Sequence, residues 1–166
     1  MNKKKILFCD SSVNPQAKLG FGAYLLLDEN DLLKQIDKST IKTKLFNDTS
    51  STKLELETLI WALHNIPKDV SHIEVFTDCQ NIITLNSRRE KLEKNDFRTS
   101  TNKIVKNTEL YKEFYKLMDS YKIDFFKVKG HKKTKIKDEI DKIFTLVDRA
   151  SRKKLREYYN SNSSSN

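Results

Sequence analysis

The sequence predicts a mixed α/β (α+β) fold in which one five-stranded sheet carries helices on both faces. Three observations predict it. The opening apolar run, residues 6–12, is short, includes Phe8 and stops at polar residues, as a strand buried on both faces does. Two more strand patterns follow without a helix between them, which indicates an antiparallel meander of three strands. Helical and strand patterns then alternate, which favours parallel strands joined by helices.

The first half of the chain accounts for the meander. The second strand is predicted over residues 20–27, and after a polar turn at residues 28–31 the third is predicted over residues 32–41, at an edge of the sheet. Cys9 is expected to face the core from the side of the first strand opposite Asp10, because successive side chains of a strand alternate.

The first long helix is predicted to begin within the polar stretch Thr49-Ser50-Ser51-Thr52. Glu55 stands three residues after Thr52, which is the spacing of a capping box, and Pro67 closes the helix. Apolar residues recur at helical period on one face: Leu56, Leu59, Ile60, Leu63 and Ile66.

The second half of the chain alternates strands and helices. A strand at residues 72–78 ends on an aspartate, as the opening run does. Arg and Lys dominate residues 86–106, and composition leaves a solvated protrusion and a phosphate-binding one about equally open. The other predicted elements are a short helix at 79–85, an amphipathic helix at 107–121, a strand at 123–128 and a terminal helix at about 137–159.

Composition limits the class of protein. The 166 residues suffice for a single domain, predicted over residues 1–159, with residues 160–166 as a disordered tail. Lys and Arg number 32 against 23 Asp and Glu, a net charge of +9, so anionic partners are expected, nucleic acid ahead of a membrane surface. No apolar stretch is long enough to cross a bilayer and no signal peptide is recognisable, so a cytoplasmic protein is expected. Cys9 and Cys79 have no zinc-ligand spacing and are expected to be reduced.

Four carboxylates are predicted to converge. Asp10 and Asp78 follow strands, Glu55 lies in the first turn of the helix between them, and Asp148 lies one position off the apolar stripe of the terminal helix. Such a group repels itself unless cations lie within it. A pair of Mg²⁺ ions about 4 Å apart is a known arrangement for hydrolysing a phosphodiester.

These residues, in this order and at this spacing, resemble the type 1 ribonuclease H family over nearly the whole chain. The matching segments are Phe8-Cys9-Asp10-Ser11-Ser12, Lys53-Leu54-Glu55-Leu56, Thr77-Asp78-Cys79-Gln80, Lys103-Ile104-Val105-Lys106-Asn107, Val128-Lys129-Gly130-His131 and Val147-Asp148-Arg149-Ala150. The resemblance implies a ribonuclease H-like fold and an endoribonuclease that hydrolyses the RNA strand of RNA/DNA hybrids by two-metal-ion catalysis, leaving 5′-phosphate and 3′-hydroxyl ends.

The resemblance also implies a catalytic set. Asp10, Glu55, Asp78 and Asp148 are implied as ligands of two Mg²⁺ ions, with Mn²⁺ as a possible substitute. His131, in a glycine-hinged basic loop, is implied to assist proton transfer or product departure, although a lone histidine in a Lys-rich loop is usually only a surface residue. A monomer is expected.

Candidates for substrate binding come from the same resemblance, with departures from the family pattern. Ser51 and Thr52 stand where family members present two asparagines that read RNA 2′-hydroxyls, and Ser11 replaces a usual glycine. Gln80 matches a glutamine that reads the groove. The candidates for phosphate contacts are Ser50, Asn107, Arg88, Arg89, Lys91 and Lys94.

Three other functions stay open: a ribonuclease H domain of retroelement origin, a DNA-processing nuclease of the same fold, and a non-catalytic hybrid-binding module. Four intact carboxylates disfavour the binding module, because a polyanion is bound more easily without them. The Gly-His loop together with the basic protrusion disfavours the DNA-processing nucleases. A starting Met directly before the first strand favours a stand-alone protein over an excised polymerase domain.

Overall fold

The computed structural model of the protein describes residues 3–128 and 135–163. Its strands are β1 (Lys3–Asn14), β2 (Leu19–Leu27), β3 (Lys42–Asn47), β4 (Val70–Thr77) and β5 (Lys122–Lys127). Its helices are α1 (Ser51–His64), α2 (Gln80–Leu85), α3 (Arg89–Lys94), α4 (Thr108–Ser120) and α5 (Lys135–Ser163). Within the described ranges, no helix is both long enough and apolar enough to cross a membrane.

The strands form one five-stranded mixed sheet in the order β3-β2-β1-β4-β5. β2 pairs antiparallel with both β1 and β3, whereas β4 pairs parallel with both β1 and β5. This arrangement confirms the predicted fold class, a three-stranded meander extended by parallel strands.

The central strand β1 is buried on both faces, as predicted. Leu7 and Cys9 belong to the apolar core that includes α1 and α4. Ile6 and Phe8 point the other way, into a core that includes Val147 of α5. The alternation of β1 side chains therefore separates two helical layers, and Cys9 faces the core as predicted.

The predicted position of the third strand is wrong. β3 spans Lys42–Asn47 rather than residues 32–41. The side chain of Asp37 accepts the backbone N–H of Ser39 at 3.0 Å and begins a 3-10 turn at Lys38–Thr40, which interrupts any strand there. β3 is nevertheless an edge strand, and its exposed Lys42 and Lys44 are typical of protected sheet edges.

Two helix boundaries also differ from prediction. The N-cap of α1 is Ser50, whose hydroxyl accepts the backbone N–H of Lys53 at 3.4 Å, so the capping box predicted from Thr52 to Glu55 is wrong. Glu55 instead points to the site described below. At the other end of the chain, α5 continues to Ser163, into the stretch predicted as a disordered tail, because each further helical residue adds a backbone hydrogen bond.

Candidate active site

Asp10 lies where the pairing between β1 and β4 ends. The last paired residues of this parallel ladder are Phe8 and Phe76. Asp10 and Asp78 each follow these by two residues, so they stand at the same edge of the sheet. β1 itself does not stop at Asp10 as predicted but continues to Asn14, paired with β2. Only 4% of Asp10 is exposed, so its carboxyl group is largely removed from solvent.

Glu55 reaches this edge because α1 packs very closely on the sheet. A side chain at Gly22 of β2 would overlap the side chain of Thr58 on α1. A side chain at Gly20 would lie 2.6 Å from a methyl carbon of Leu54. The two glycines therefore let the helix lie directly on β2, which sets the height of Glu55 above the strand ends.

Ser11 connects two of the carboxylates. Its hydroxyl donates to Oε1 of Glu55 at 2.6 Å, and its backbone N–H donates to Oδ1 of Asp10 at 2.9 Å. A glycine at this position could make only the backbone contact. The departure from the family pattern thus adds a hydrogen bond that fixes the glutamate.

Three carboxylates form a compact group. One oxygen from each of Asp10, Glu55 and Asp78 lies within 4.8 Å of the others. The second oxygen of Glu55, Oε2, is buried and has no hydrogen-bond partner among the described residues. A buried carboxylate oxygen without a donor is costly unless a cation accompanies it, and hard divalent cations prefer carboxylate oxygens. The group therefore fits a divalent metal ion.

Asp148 lies beside this group without completing it. Its carboxyl group shares a hydrogen bond with Asp10. Its Oδ1 also lies 3.0 Å from Nε of Arg152, one turn further along α5. No oxygen of Asp148 falls within the compact group of three. The structure thus brings three of the four predicted ligands together and places the fourth in contact with Asp10.

The carboxyl groups raise one another's pKa. Burial, then the charge of Glu55 and a hydrogen bond that protonated Asp10 donates to Asp148, raises the pKa of Asp10 to about 9. Burial and the charges of Asp78 and Asp148 raise the pKa of Glu55 to about 7, against the opposing hydrogen bond from Ser11. Burial also raises the pKa of Asp78. Without a cation, the cluster is therefore held partly in its protonated form at neutral pH.

The predicted substrate-binding residues outside the basic protrusion lie at the starts of helices. Ser51 and Thr52 are exposed in the first turn of α1, next to its N-cap Ser50. The side-chain oxygen of Gln80 accepts from Nζ of Lys127 at 2.8 Å. Asn107 is the N-cap of α4, with a φ of 64°. His131 lies outside the described residues.

The predicted basic protrusion divides into two kinds of residue. Arg88 donates to Oδ1 of Asn81 at 2.6 Å, so its guanidinium is engaged within the protein. Arg89 donates to both oxygens of Asp119, at 2.6 and 2.9 Å. Lys91 and Lys94 are exposed on α3 and make no ion pair among the residues that the structure describes. The lysines are therefore the side chains of this set that remain open to an external phosphate.

Sequence reasoning missed two features of this region. The Ser11 contact with Glu55 could have been suspected from a hydroxyl residue directly after Asp10. A row of cations on α5 had a clearer signal, since Arg149, Arg152 and Arg156 recur at helical spacing.

The mixed sheet and its acidic edge define an α/β protein built around a candidate cation-binding site. The family profile described as RNase H matches residues 2–149. The chain therefore belongs to the RNase H family, and it is an enzyme of that family, a nuclease among the hydrolases.

Relatives named Ribonuclease H are similar over much of the chain. The protein from Clostridium botulinum is 28% identical over 144 residues, covering 85% of this chain and 93% of its own. The protein from Acetivibrio thermocellus is 33% identical over 100 residues, 59% of this chain and 67% of its own. The protein from Chlorobium luteolum is 27% identical over 149 residues, 86% of this chain and 94% of its own.

Proposed function

We propose that this enzyme hydrolyses the RNA strand of RNA/DNA hybrids at internal positions, leaving 5′-phosphate and 3′-hydroxyl ends. The observation that carries the proposal is the compact group of three carboxylates with an unpartnered buried oxygen on Glu55, in a chain of the RNase H family. The net charge of +9 supports a polyanionic substrate. The relatives named Ribonuclease H support the choice of a hybrid.

The carboxylates are proposed to hold two divalent cations, Mg²⁺ or, as a substitute, Mn²⁺. Asp10 would contact both ions, because it shares a hydrogen bond with Asp148 and lies close enough to Glu55 for their charges to interact. Glu55 and Asp78 would complete the coordination, and Asp148 would support the second ion. Bound divalent cations stabilise charge developing on a phosphate and lower the pKa of a water molecule.

The residues of the chain hold this site in a fixed geometry. Ser11 keeps Glu55 oriented through the 2.6 Å hydrogen bond, and its N–H holds Asp10. In the proposed reaction a water oxygen bonds to phosphorus, the bond from phosphorus to O3′ breaks, and O3′ takes up a proton. His131 is proposed to assist this proton transfer or the departure of product.

The hybrid is proposed to be held by residues outside the carboxylate cluster. Ser51, Thr52 and Gln80 are proposed to meet groove edges and 2′-hydroxyls. The exposed lysines of α3 are proposed to meet phosphates. Ser50 and Asn107, at the first turns of α1 and α4, are proposed to hold a phosphate of the DNA strand. Arg88 and Arg89 would act mainly by fixing α3, since both are engaged within the protein. We propose that the enzyme acts as a monomer.

Cleavage of matched substrates tests this proposal. End-labelled RNA/DNA hybrid, duplex RNA and duplex DNA of one sequence are incubated with the protein in Mg²⁺ and, separately, in Mn²⁺. We expect only the RNA of the hybrid to be cut, giving products that a ligase requiring a 5′-phosphate accepts. Equal cutting of duplex DNA would favour a DNA-processing nuclease, and tight binding of hybrid without cutting in either metal would favour a binding module.

A further inference from the structure

A basic groove lies between α5 and the connection from β2 to β3. Its volume is about 760 Å³. One acidic residue, Glu157, lines it. Its cationic lining residues are Lys38, Arg149, Arg152, Lys153, Lys154 and Arg156. This surplus of positive charge in a concave surface is suited to an anion.

The cations on α5 form a row on one face of the helix. Arg149, Arg152, Lys153 and Arg156 follow the spacing i, i+3, i+4 and i+7, and all four are exposed. The row extends roughly 10 Å along the axis, at about 1.5 Å per residue. Like charges at these spacings repel and disfavour the helix. A bound polyanion would relieve that repulsion.

Most of this charge is not neutralised within the protein. Arg149, Arg156 and Lys38 make no ion pair with any described residue. Lys153 and Lys154 share the single carboxylate of Glu157, at the long distances of 3.9 and 3.8 Å. Such exposed and distant pairs contribute little, so these ammonium groups remain available to an external ligand.

The groove opens beside the carboxylate cluster. Nε of Arg152 lies 3.0 Å from Oδ1 of Asp148, which in turn shares a hydrogen bond with Asp10. One side chain thus lies at both the groove and the cluster. A strand held at the cluster could continue past Arg152 into the groove.

We propose that this groove binds the phosphate backbone of the RNA/DNA hybrid beyond the nucleotides held at the carboxylate cluster, an inference that rests on the proposed function. Continuity with the cluster selects the hybrid over other polyanions. Among the described residues that line the groove, none is an aromatic residue on which a base could stack, so the contacts are to phosphates and are independent of sequence. The groove makes the enzyme favour hybrids long enough to reach it.

A charge-neutralising variant with a matched control tests the groove. The groove variant combines Arg149→Gln, Lys153→Gln and Arg156→Gln. The control variant combines Lys68→Gln, Lys116→Gln and Lys122→Gln, which removes three exposed charges outside the groove. Fluorescence anisotropy in a chelator measures binding of a hybrid of about one helical turn (~10 bp) and another of about two turns at several salt concentrations. Circular dichroism and the melting temperature verify that each variant is folded.

We expect the groove variant to bind the longer hybrid about 10-fold more weakly at low salt, with a salt slope shallower by roughly one to three units. The control variant should change the affinity for either hybrid by less than about 2-fold, and the loss in the groove variant should be smaller for the short hybrid than for the longer one. Equal losses in both variants, or no loss in the groove variant, would overturn the proposal. Cleavage of saturating hybrid by the groove variant reports separately on the proposed function, because this variant leaves the carboxylate cluster intact.

Two other ligands are tested in parallel. Vesicles of phosphatidylserine and phosphatidylcholine probe an anionic membrane, and poly-glutamate probes an acidic protein segment. One outcome would assign the groove to another partner. In that outcome either ligand binds the unmodified protein at physiological salt, this binding is lost only in the groove variant, and the affinity for the longer hybrid is unchanged. The proposal would then be wrong.

Discussion

Replacing Asp10 by Asn should make the metal-free protein more stable, although it removes the carboxylate at the centre of the candidate site. Asp10 is 4% exposed, and its pKa is raised to about 9 by burial and by the neighbouring carboxylates. Asn keeps an oxygen that can accept the N–H of Ser11 and never carries the charge. The substitution therefore removes the electrostatic penalty while retaining the shape.

The contribution of Asp10 to the free energy of unfolding changes with pH in one direction. With a pKa of about 9 in the folded state and about 4 when unfolded, Asp10 binds its proton more tightly in the folded protein, so stability falls as pH rises between these values. Each pH unit in this range lowers the free energy of unfolding by about 1.4 kcal/mol, so at pH 7 Asp10 has lowered it by about 4 kcal/mol. We expect Asp10→Asn to recover about 2–4 kcal/mol at pH 7 and close to nothing near pH 4. For a chain of this size that raises Tm by roughly 5–15 °C.

Thermal unfolding followed by circular dichroism from pH 4 to pH 8, in a chelator, measures the effect. Asp119→Asn is the matched control with opposite sign, because the hydrogen bond from Arg89 lowers the pKa of Asp119 and makes its charge favourable in the folded protein. The stability that Asp119 contributes is present above pH 4 and lost as pH falls through its lowered pKa. An Asp10→Asn protein that is less stable at pH 7, or whose difference from the unmodified protein does not vary with pH, would refute the reasoning.

Three further predictions test how the site is held. Gly22→Ala should force α1 off the sheet and cost about 1–3 kcal/mol in chemical denaturation, together with most hybrid cleavage; an unchanged midpoint would contradict the close packing. Ser11→Ala should weaken Mn²⁺ binding in calorimetric titration about 10-fold, because it removes the hydrogen bond to the α1 glutamate, and equal affinity would show that this bond is dispensable. Replacing Lys91 and Lys94 together by Gln should flatten the salt dependence of hybrid binding by at most about two units and leave the rate on saturating hybrid unchanged; an unaltered slope would assign these lysines to solubility.

The features of the fold that the sequence predicts correctly are those that depend on burial. β1 is apolar throughout its middle because helices cover both its faces, and that continuous run is what predicts a central strand. The shared edge position of Asp10 and Asp78 was predictable for the same reason, because each follows the buried part of its strand that pairs in parallel. These buried patterns are enough to predict five strands and whether each pair is parallel or antiparallel.

Other features depend on contacts between distant residues, which a local pattern does not contain. The predicted position of the third strand, residues 32–41, is wrong because Asp37 and Ser39 form a local turn whose hydrogen bond competes with strand pairing. Glu55 has the spacing of a capping residue, yet its actual partner is Ser11, 44 residues earlier. The local sequence suggests that Arg89 is an unpaired cation, but it binds Asp119, which comes 30 residues later.

Diffraction at the manganese absorption edge tests the central claim most directly. Crystals of the protein are grown with Mn²⁺ and an uncleavable hybrid, and the anomalous map locates the ions independently of any assumed ligand. The proposed function predicts two peaks about 4 Å apart, with Asp10 bound to both and Glu55, Asp78 and Asp148 beside them. A protein that cuts the hybrid in Mn²⁺ yet shows no peak within this cluster would contradict the account.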